Sequence, residues 1–168
     1  WKSNGALLER IQSPIVYTEK EGFIDGYMEL AKRCYSPIAT MHHYLNMAGK
    51  SYEEMKGKDE ARLKRLFYAL RGSMACKWIM DKDDMPPILF TKMVEELKLG
   101  SDLKEKIYAL IELKSTKNES YIHEKEGMIL DFIDSTLEAA KEKASSLKSR
   151  EEKHVDLDEY FREVLKEY

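Results

Sequence analysis

The sequence predicts an all-α fold, a bundle of about six to eight helices, and three observations support this prediction. Only four prolines and eight glycines occur in the 168 residues, and most of them lie between apolar segments. Apolar residues recur at intervals of three and four in nearly every segment. The apolar fraction of 43% is too high for a disordered chain, and the charged fraction of 35% is too high for a membrane-embedded one.

Net charge and cysteine content limit the functional classes. The formal net charge is −3, which gives no general case for nucleic-acid binding. Residues 1–80 have a balance of +4 and residues 81–168 a balance of −7, so an anion-binding surface is expected in the first half. With two cysteines, no apolar run of about 20 residues and no basic-then-apolar leader, the sequence predicts a cytoplasmic protein with no membrane partner.

The elements of the first quarter are a short helix, an extended segment and a second helix. A helix is predicted over residues 4–12, with Ser3 or Asn4 as its cap. Pro14 disfavours helix before it and β-branched residues follow, so residues 13–17 are predicted to be extended. Such a segment has no obvious partner strand here. Residues 21–34 then show one apolar face and are predicted to be helical.

The next two helices have the clearest patterns. Ser36 as cap and Pro37 in the first turn predict a helix over residues 36–56. Asp59 is predicted to cap a fourth helix that runs to residue 80. Its apolar residues fall within an arc of about 120° and comprise Leu63, Leu66, Phe67, Leu70, Met74 and Trp78.

The second half is predicted as a series of helices separated by polar breaks. The expected elements are a loop over 81–87, helices over 90–97 and 101–114, a linker over 115–120, a long helix over 121–149 and an amphipathic helix over 155–168. The sequence shows no internal repeat, and the only extended segment that it predicts is the one at residues 13–17.

Most familiar catalytic and metal-binding motifs are absent. The adjacent His42 and His43 point about 100° apart on a helix and cannot chelate one ion. The acidic turn at 81–84 lacks the glycine and distal glutamate of a calcium loop. The sequence contains no nucleophile elbow, Walker loop or dinucleotide fingerprint, and Cys34 and Cys76 are predicted to be inert thiols. No catalytic residue and no metal ligand is therefore predicted within these residues.

One set of residues on the fourth helix could bind an anion. Lys64, Tyr68 and Arg71 lie within about 60° of each other beside the apolar arc. Two cations with a tyrosine between them can bind phosphate oxygens and contact a base. The alternative is that they form the basic border of an amphipathic helix, with their charges in solvent.

Three stretches together resemble a known family. They are residues 7–17 (LLERIQSPIVY), residues 35–37 (YSP) leading to 43–48 (HYLNMA), and residues 64–71 (KRLFYALR) with 75–79 (ACKWI). In this order and spacing they are similar to the C-terminal half of the predicted nucleotidyltransferases of the DNA polymerase β-like superfamily. The resemblance covers about residues 2–140.

The resemblance implies a protein in two parts. An N-terminal α/β domain would have a Gly-Ser turn and an Asp-x-Asp pair that holds Mg²⁺. This sequence has no Gly-Ser turn that is followed by an Asp-x-Asp strand, and its first residue is not Met, so we expect a segment of a longer enzyme that is inactive alone. Residues 1–20 would be a connector from the catalytic domain, residues 21–150 the helical substrate-binding domain and residues 151–168 a C-terminal amphipathic helix.

The resemblance also implies a binding site. The cleft-facing residues would be His43, Tyr44, Lys64, Tyr68 and Arg71. Lys64 and Arg71 would bind phosphate, Tyr68 would stack on a base or contact the ribose, and His43 would make a polar contact. Tyr44 also lies on the core stripe of its helix. Mg²⁺ and a nucleoside triphosphate are expected for the full-length protein, and neither for this segment alone. The acceptor could be RNA, a protein or a small molecule.

Two other functions are compatible with the sequence. A stand-alone helical module could bind a partner protein and no nucleotide. Triphosphate binding by Lys64, Tyr68 and Arg71 would distinguish the two possibilities, because it is expected only for the nucleotidyltransferase. A helical ribonuclease-like domain would need an Arg five residues before a His, a spacing that is absent here.

Overall fold

The computed structural model describes residues 5–118, 120–124, 126–147 and 154–166, and it confirms the all-α fold class. These residues form eight helices and one small two-stranded sheet. The elements are α1 (Gly5–Ile11), α2 (Phe23–Arg33), α3 (Pro37–Glu53), β1 (Glu60–Arg62), α4 (Leu63–Lys82), α5 (Phe90–Glu96), α6 (Ser101–Thr116), β2 (Ile122–Glu124), α7 (Gly127–Ser146) and α8 (His154–Lys166). Among the described residues, no helix is both long and apolar enough to cross a membrane.

Helices α3, α4 and α7 enclose the main hydrophobic core. As predicted, Ser36 caps α3, since its side chain accepts a hydrogen bond from the Ala39 N–H at 3.4 Å. Helix α4 packs closely on α3 at Gly72, where an added Cβ would lie 2.7 Å from the Cβ of Ala48. The fully buried core side chains include Met41, Tyr44, Leu66, Leu70, Met74, Ile129 and Ile133.

The β1–β2 pair corrects two predicted helix starts. Helix α4 begins at Leu63 rather than at residue 60, so Asp59 is not its cap. Instead, the Leu63 N–H donates to the Tyr121 carbonyl at 2.9 Å, which satisfies a donor that the first turn leaves open. Helix α7 likewise begins at Gly127 and not at residue 121, because residues 122–124 pair antiparallel with β1.

This pairing determines where α6 ends relative to α4. Arg62, the residue before α4, lies opposite Ile122. The short segment that joins α6 to β2 is therefore held beside the first turns of α4. Two parts of the chain about fifty residues apart in sequence thus form one surface.

Helix α1 docks on the body through a small second cluster. Leu8 packs with Ala31 and Tyr35, all of them buried. The Gln12 amide donates to the Pro86 carbonyl at 3.3 Å, which links α1 to the loop before α5.

The segment after α1 has no strand partner among the described residues. It is irregular, and Ile15, Val16 and Tyr17 are exposed by 67%, 58% and 96%. Its role as a connector stays a prediction. The predicted caps Ser3 and Asn4, and residues 148–149 of the predicted long helix, lie outside the described residues.

Helix α8 contacts α2. The Tyr160 hydroxyl donates to the Phe23 carbonyl at 3.1 Å, and its ring packs edge-on against Tyr27. The amphipathic terminal helix therefore has at least one intramolecular contact, made by its tyrosine. Phe161 and Leu165 on the same helix are more than half exposed.

Candidate functional site

A pocket of about 500 Å³ lies between the first half of α4, the end of α6 and the start of α5. A volume of this size is typical of small-molecule sites. The residues that line it are Leu63, Lys64, Phe67, Tyr68, Arg71, Leu89, Phe90, Thr91, Ile111, Lys114, Lys117 and Asn118. It combines an apolar wall with polar and cationic groups at one place on the surface.

The charge of the described lining is entirely positive. Lys64 and Arg71 come from α4, whereas Lys114 and Lys117 come from the end of α6 and the residue after it. No carboxylate is found among the described residues that line the pocket. Within the part of the chain described, neither Lys114 nor Lys117 forms an ion pair. The pocket therefore favours an anion.

Aromatic rings form part of the wall. Phe67 packs edge-on against Phe90, with ring centroids 5.8 Å apart. The Lys114 ammonium lies 4.6 Å from the centroid of Phe67, within cation–π range. Tyr68 is 41% exposed and lies one residue further along α4. A planar ligand could therefore stack on a ring while an anionic group contacts the lysines.

Arg71 is held by three hydrogen bonds. Its Nε and Nη2 donate to the Glu9 carboxylate at 3.3 and 3.0 Å, and its Nη1 donates to the Ile88 carbonyl at 2.9 Å. The arginine and glutamate side chains are about one-fifth exposed. This ion pair connects α1, α4 and the loop before α5.

Two of the five predicted binding residues do not line this pocket. Tyr44 is 2% exposed, and its hydroxyl donates to Glu9 at 2.9 Å. Burial and the Glu9 carboxylate raise the pKa of Tyr44 far above its usual range, so this hydroxyl remains a donor. His43 is half-buried and packs edge-on against Tyr44. The ring of Tyr44 thus fills the core stripe of α3, outside this pocket, and the binding roles of Tyr44 and His43 stay predictions.

The other three predicted residues, Lys64, Tyr68 and Arg71, line the pocket together. Their roles in binding remain predictions. Sequence analysis missed Lys114, Lys117 and Asn118, since the charge asymmetry pointed to the first half of the chain. The only signal was the basic residues around the end of α6, and nothing in the sequence indicated that α6 ends beside α4.

The described residues do not offer a set of ligands that fits a magnesium ion. In the described ranges no group of three or more His, Cys, Asp or Glu could hold a metal ion. Cys76 is buried, and burial raises the pKa of its thiol to about 12. This thiol is therefore protonated at neutral pH and a poor nucleophile.

Comparison with known proteins identifies the family. "Uncharacterized protein YcgL" of Bacillus subtilis (strain 168) is 33% identical over 148 residues. The match covers 88% of this chain and 57% of YcgL, so the chain spans little more than half of that relative. No solved structure matches the chain. The model of the RNA repair pathway DNA polymerase beta family, RlaP, matches residues 1–163. The chain therefore belongs to the RNA repair pathway DNA polymerase beta family, RlaP.

Proposed function

We propose that this chain is the helical nucleotide- and acceptor-binding part of a nucleotidyltransferase. The full protein would transfer a nucleoside monophosphate from a triphosphate to a hydroxyl acceptor. The observation that supports this proposal most is the pocket between α4 and α6, with four cations, aromatic rings and no carboxylate among its described lining residues. A nucleotide has both a planar base, which can stack on an aromatic ring, and strongly anionic phosphates.

The pocket residues divide by chemistry. Lys64, Lys114 and Lys117 would attract the phosphates through their charge, and Arg71 would present its guanidinium to a phosphate oxygen. Tyr68 is exposed enough to stack on the base or contact the ribose. The words "RNA repair pathway" in the family description favour RNA among the possible acceptors.

Catalysis would require a further domain. Such catalysis would need Mg²⁺, whose charge would stabilise the transferring phosphate, and the described residues offer no carboxylate set to hold it. YcgL extends well beyond the matched region, which is compatible with an α/β catalytic half elsewhere in such proteins. The family model matches residues 1–163, nearly the whole of this chain. The division of the full protein into a catalytic half and a helical half is therefore part of our proposal.

One observation favours the second candidate, a helical module that binds a protein and no nucleotide. Ile15, Val16 and Tyr17 form an exposed apolar segment directly after α1. Such a segment can be covered by another protein or by another domain of the same protein. In the nucleotidyltransferase it would be the connector that lies against the catalytic domain.

The test is nucleotide binding by the full-length protein that the gene encodes, with two tyrosine variants. Tyr68 and Tyr108 are both 41% exposed, but only Tyr68 lines the pocket. Tyr68→Ala should weaken binding of a nucleoside triphosphate by about tenfold, since one base stacked on an aromatic ring contributes about 1–3 kcal/mol. Tyr108→Ala should leave the Kd unchanged. Lys64→Ala should also weaken binding, and more so at low salt.

Two outcomes would contradict the proposal. If Tyr68→Ala and Tyr108→Ala gave the same Kd as the unaltered protein, the pocket would not be the nucleotide site. If the full-length protein bound no triphosphate at millimolar concentration, the protein-binding module would be the function to pursue.

A further inference from the structure

Glu9 on α1 accepts hydrogen bonds from two other helices, in a partly buried network that reaches the pocket. One of its oxygens, Oε1, accepts from Tyr44 on α3 and from both Nε and Nη2 of Arg71 on α4. Sequence analysis gave Glu9 no role. Its side chain is about four-fifths buried, so water competes little with the carboxylate for these donors.

The network restricts the guanidinium of Arg71. Of its five N–H groups, Nε, one on Nη1 and one on Nη2 are used in the contacts with Glu9 and Ile88. The remaining N–H of each terminal nitrogen is left for another acceptor. Because Arg71 lines the pocket, a guanidinium in this fixed orientation is prepared for a phosphate oxygen at little entropic cost.

Pairing with Glu9 also changes how the pocket attracts an anion. The charge of Arg71 is largely balanced by its partner, so the long-range attraction comes from the lysines. Arg71 then contributes geometry rather than net charge. Displacement of Glu9 by a phosphate is disfavoured, because it would leave the buried Tyr44 hydroxyl without its acceptor.

The same contacts link α1 to the pocket wall. Arg71 donates to Ile88, which directly precedes the pocket residue Leu89, and Gln12 on α1 donates to Pro86 in the same loop. If α1 moved away, Arg71 would lose its contacts with Glu9, and this loop would lose its hydrogen bond from Gln12.

We propose that Glu9 is a positioning residue: it holds Arg71 in the orientation that receives a phosphate, and it thereby couples the docking of α1 to nucleotide binding. The coupling to nucleotide rests on the proposed function. The restraint on Arg71 does not, so the two can be tested separately.

The first test measures the restraint alone, by NMR of the Arg71 side chain in the 168-residue protein. The Nε–H resonance, assigned by its loss in Arg71→Lys, should be shifted and protected from hydrogen exchange in the unaltered protein. Glu9→Gln should move it toward the free-arginine position and speed its exchange. Glu138→Gln, which removes an exposed carboxylate paired with Lys141, is the control and should leave it unchanged. An Nε–H signal identical in Glu9→Gln and the unaltered protein would overturn the proposal.

The second test is a double-mutant cycle on triphosphate affinity in the full-length protein. Glu9→Gln should weaken binding by about tenfold when Arg71 is present, and should not weaken it in an Arg71→Met background. If Glu9 acted only through its charge, its removal would strengthen binding in both backgrounds. If it only stabilised the fold, binding would weaken equally in both. Either result would overturn the proposal.

Glu9→Asp keeps the charge but is one methylene shorter. It should also weaken binding in the presence of Arg71, which provides a second variant if Glu9→Gln does not fold. Failure of the unaltered full-length protein to bind triphosphate would refute the proposed function, while the NMR experiment would still decide whether Glu9 positions Arg71.

Discussion

The two faces of α4 differ in their surroundings, although they alternate along one helix. Leu66, Leu70 and Met74 point into the core and are 1%, 0% and 0% exposed. Lys64, Tyr68 and Arg71 face the pocket, and Tyr68 is 41% exposed. The core face is satisfied by contacts within the bundle. The pocket face carries two cationic side chains and the partly exposed ring of Tyr68.

Under the proposed function, this difference assigns stability to one face of α4 and ligand binding to the other. Large core side chains contribute through the apolar area that they remove from water. Residues of the pocket face contribute less buried apolar area, and they place polar and aromatic groups at the pocket. Substitutions on one face should therefore change the free energy of unfolding, and substitutions on the other should change ligand affinity.

The largest effect is expected from Leu70→Ala. Leu70 is fully buried, so its truncation should lower the free energy of unfolding by about 2–5 kcal/mol. Tyr68→Ala, two residues away, should lower it by less than about 1 kcal/mol. Chemical denaturation of both variants measures the contrast. Equal losses of stability would show that the two faces are not distinct.

Smaller effects on stability are expected at two glycines, and the two effects have opposite signs. Gly72→Ala should lower the free energy of unfolding by about 1–3 kcal/mol, because the new methyl group would lie 2.7 Å from Ala48 and force α3 and α4 apart.

Gly49→Ala is the matched control on α3. Nothing lies within 4 Å of a Cβ at this position, so alanine should raise stability by up to about 1 kcal/mol through its helix propensity. Thermal denaturation of the two variants tests the close approach of the helices. A stabilising Gly72→Ala would contradict it.

Sequence reasoning succeeded where a pattern is local. The helix class, the Ser36 cap and the apolar arc of α4 follow from spacing and capping, and the structure confirms them. The grouping of Lys64, Tyr68 and Arg71 could also be predicted, because residues at these intervals share one side of a helix.

It failed where the arrangement depends on distant parts of the chain. Strands of three residues give almost no alternation signal, so the sequence analysis assigned the residues of β1 and β2 to the helices that follow them. Without that pairing, the lysines at the end of α6 could not be placed beside α4. The contact of Glu9 with Arg71 joins residues 62 positions apart and has no signal in a single sequence.

The most direct test of whether the pocket binds a nucleotide uses two lysines of α6. Lys114 lines the pocket, whereas Lys104 lies on the same helix outside it and donates to the Glu95 carbonyl. Triphosphate affinity of the full-length protein should fall by about tenfold in Lys114→Ala, as expected for loss of a charge-assisted contact, and should not change in Lys104→Ala. Equal affinities for the two variants would contradict the assignment of this pocket as the nucleotide site.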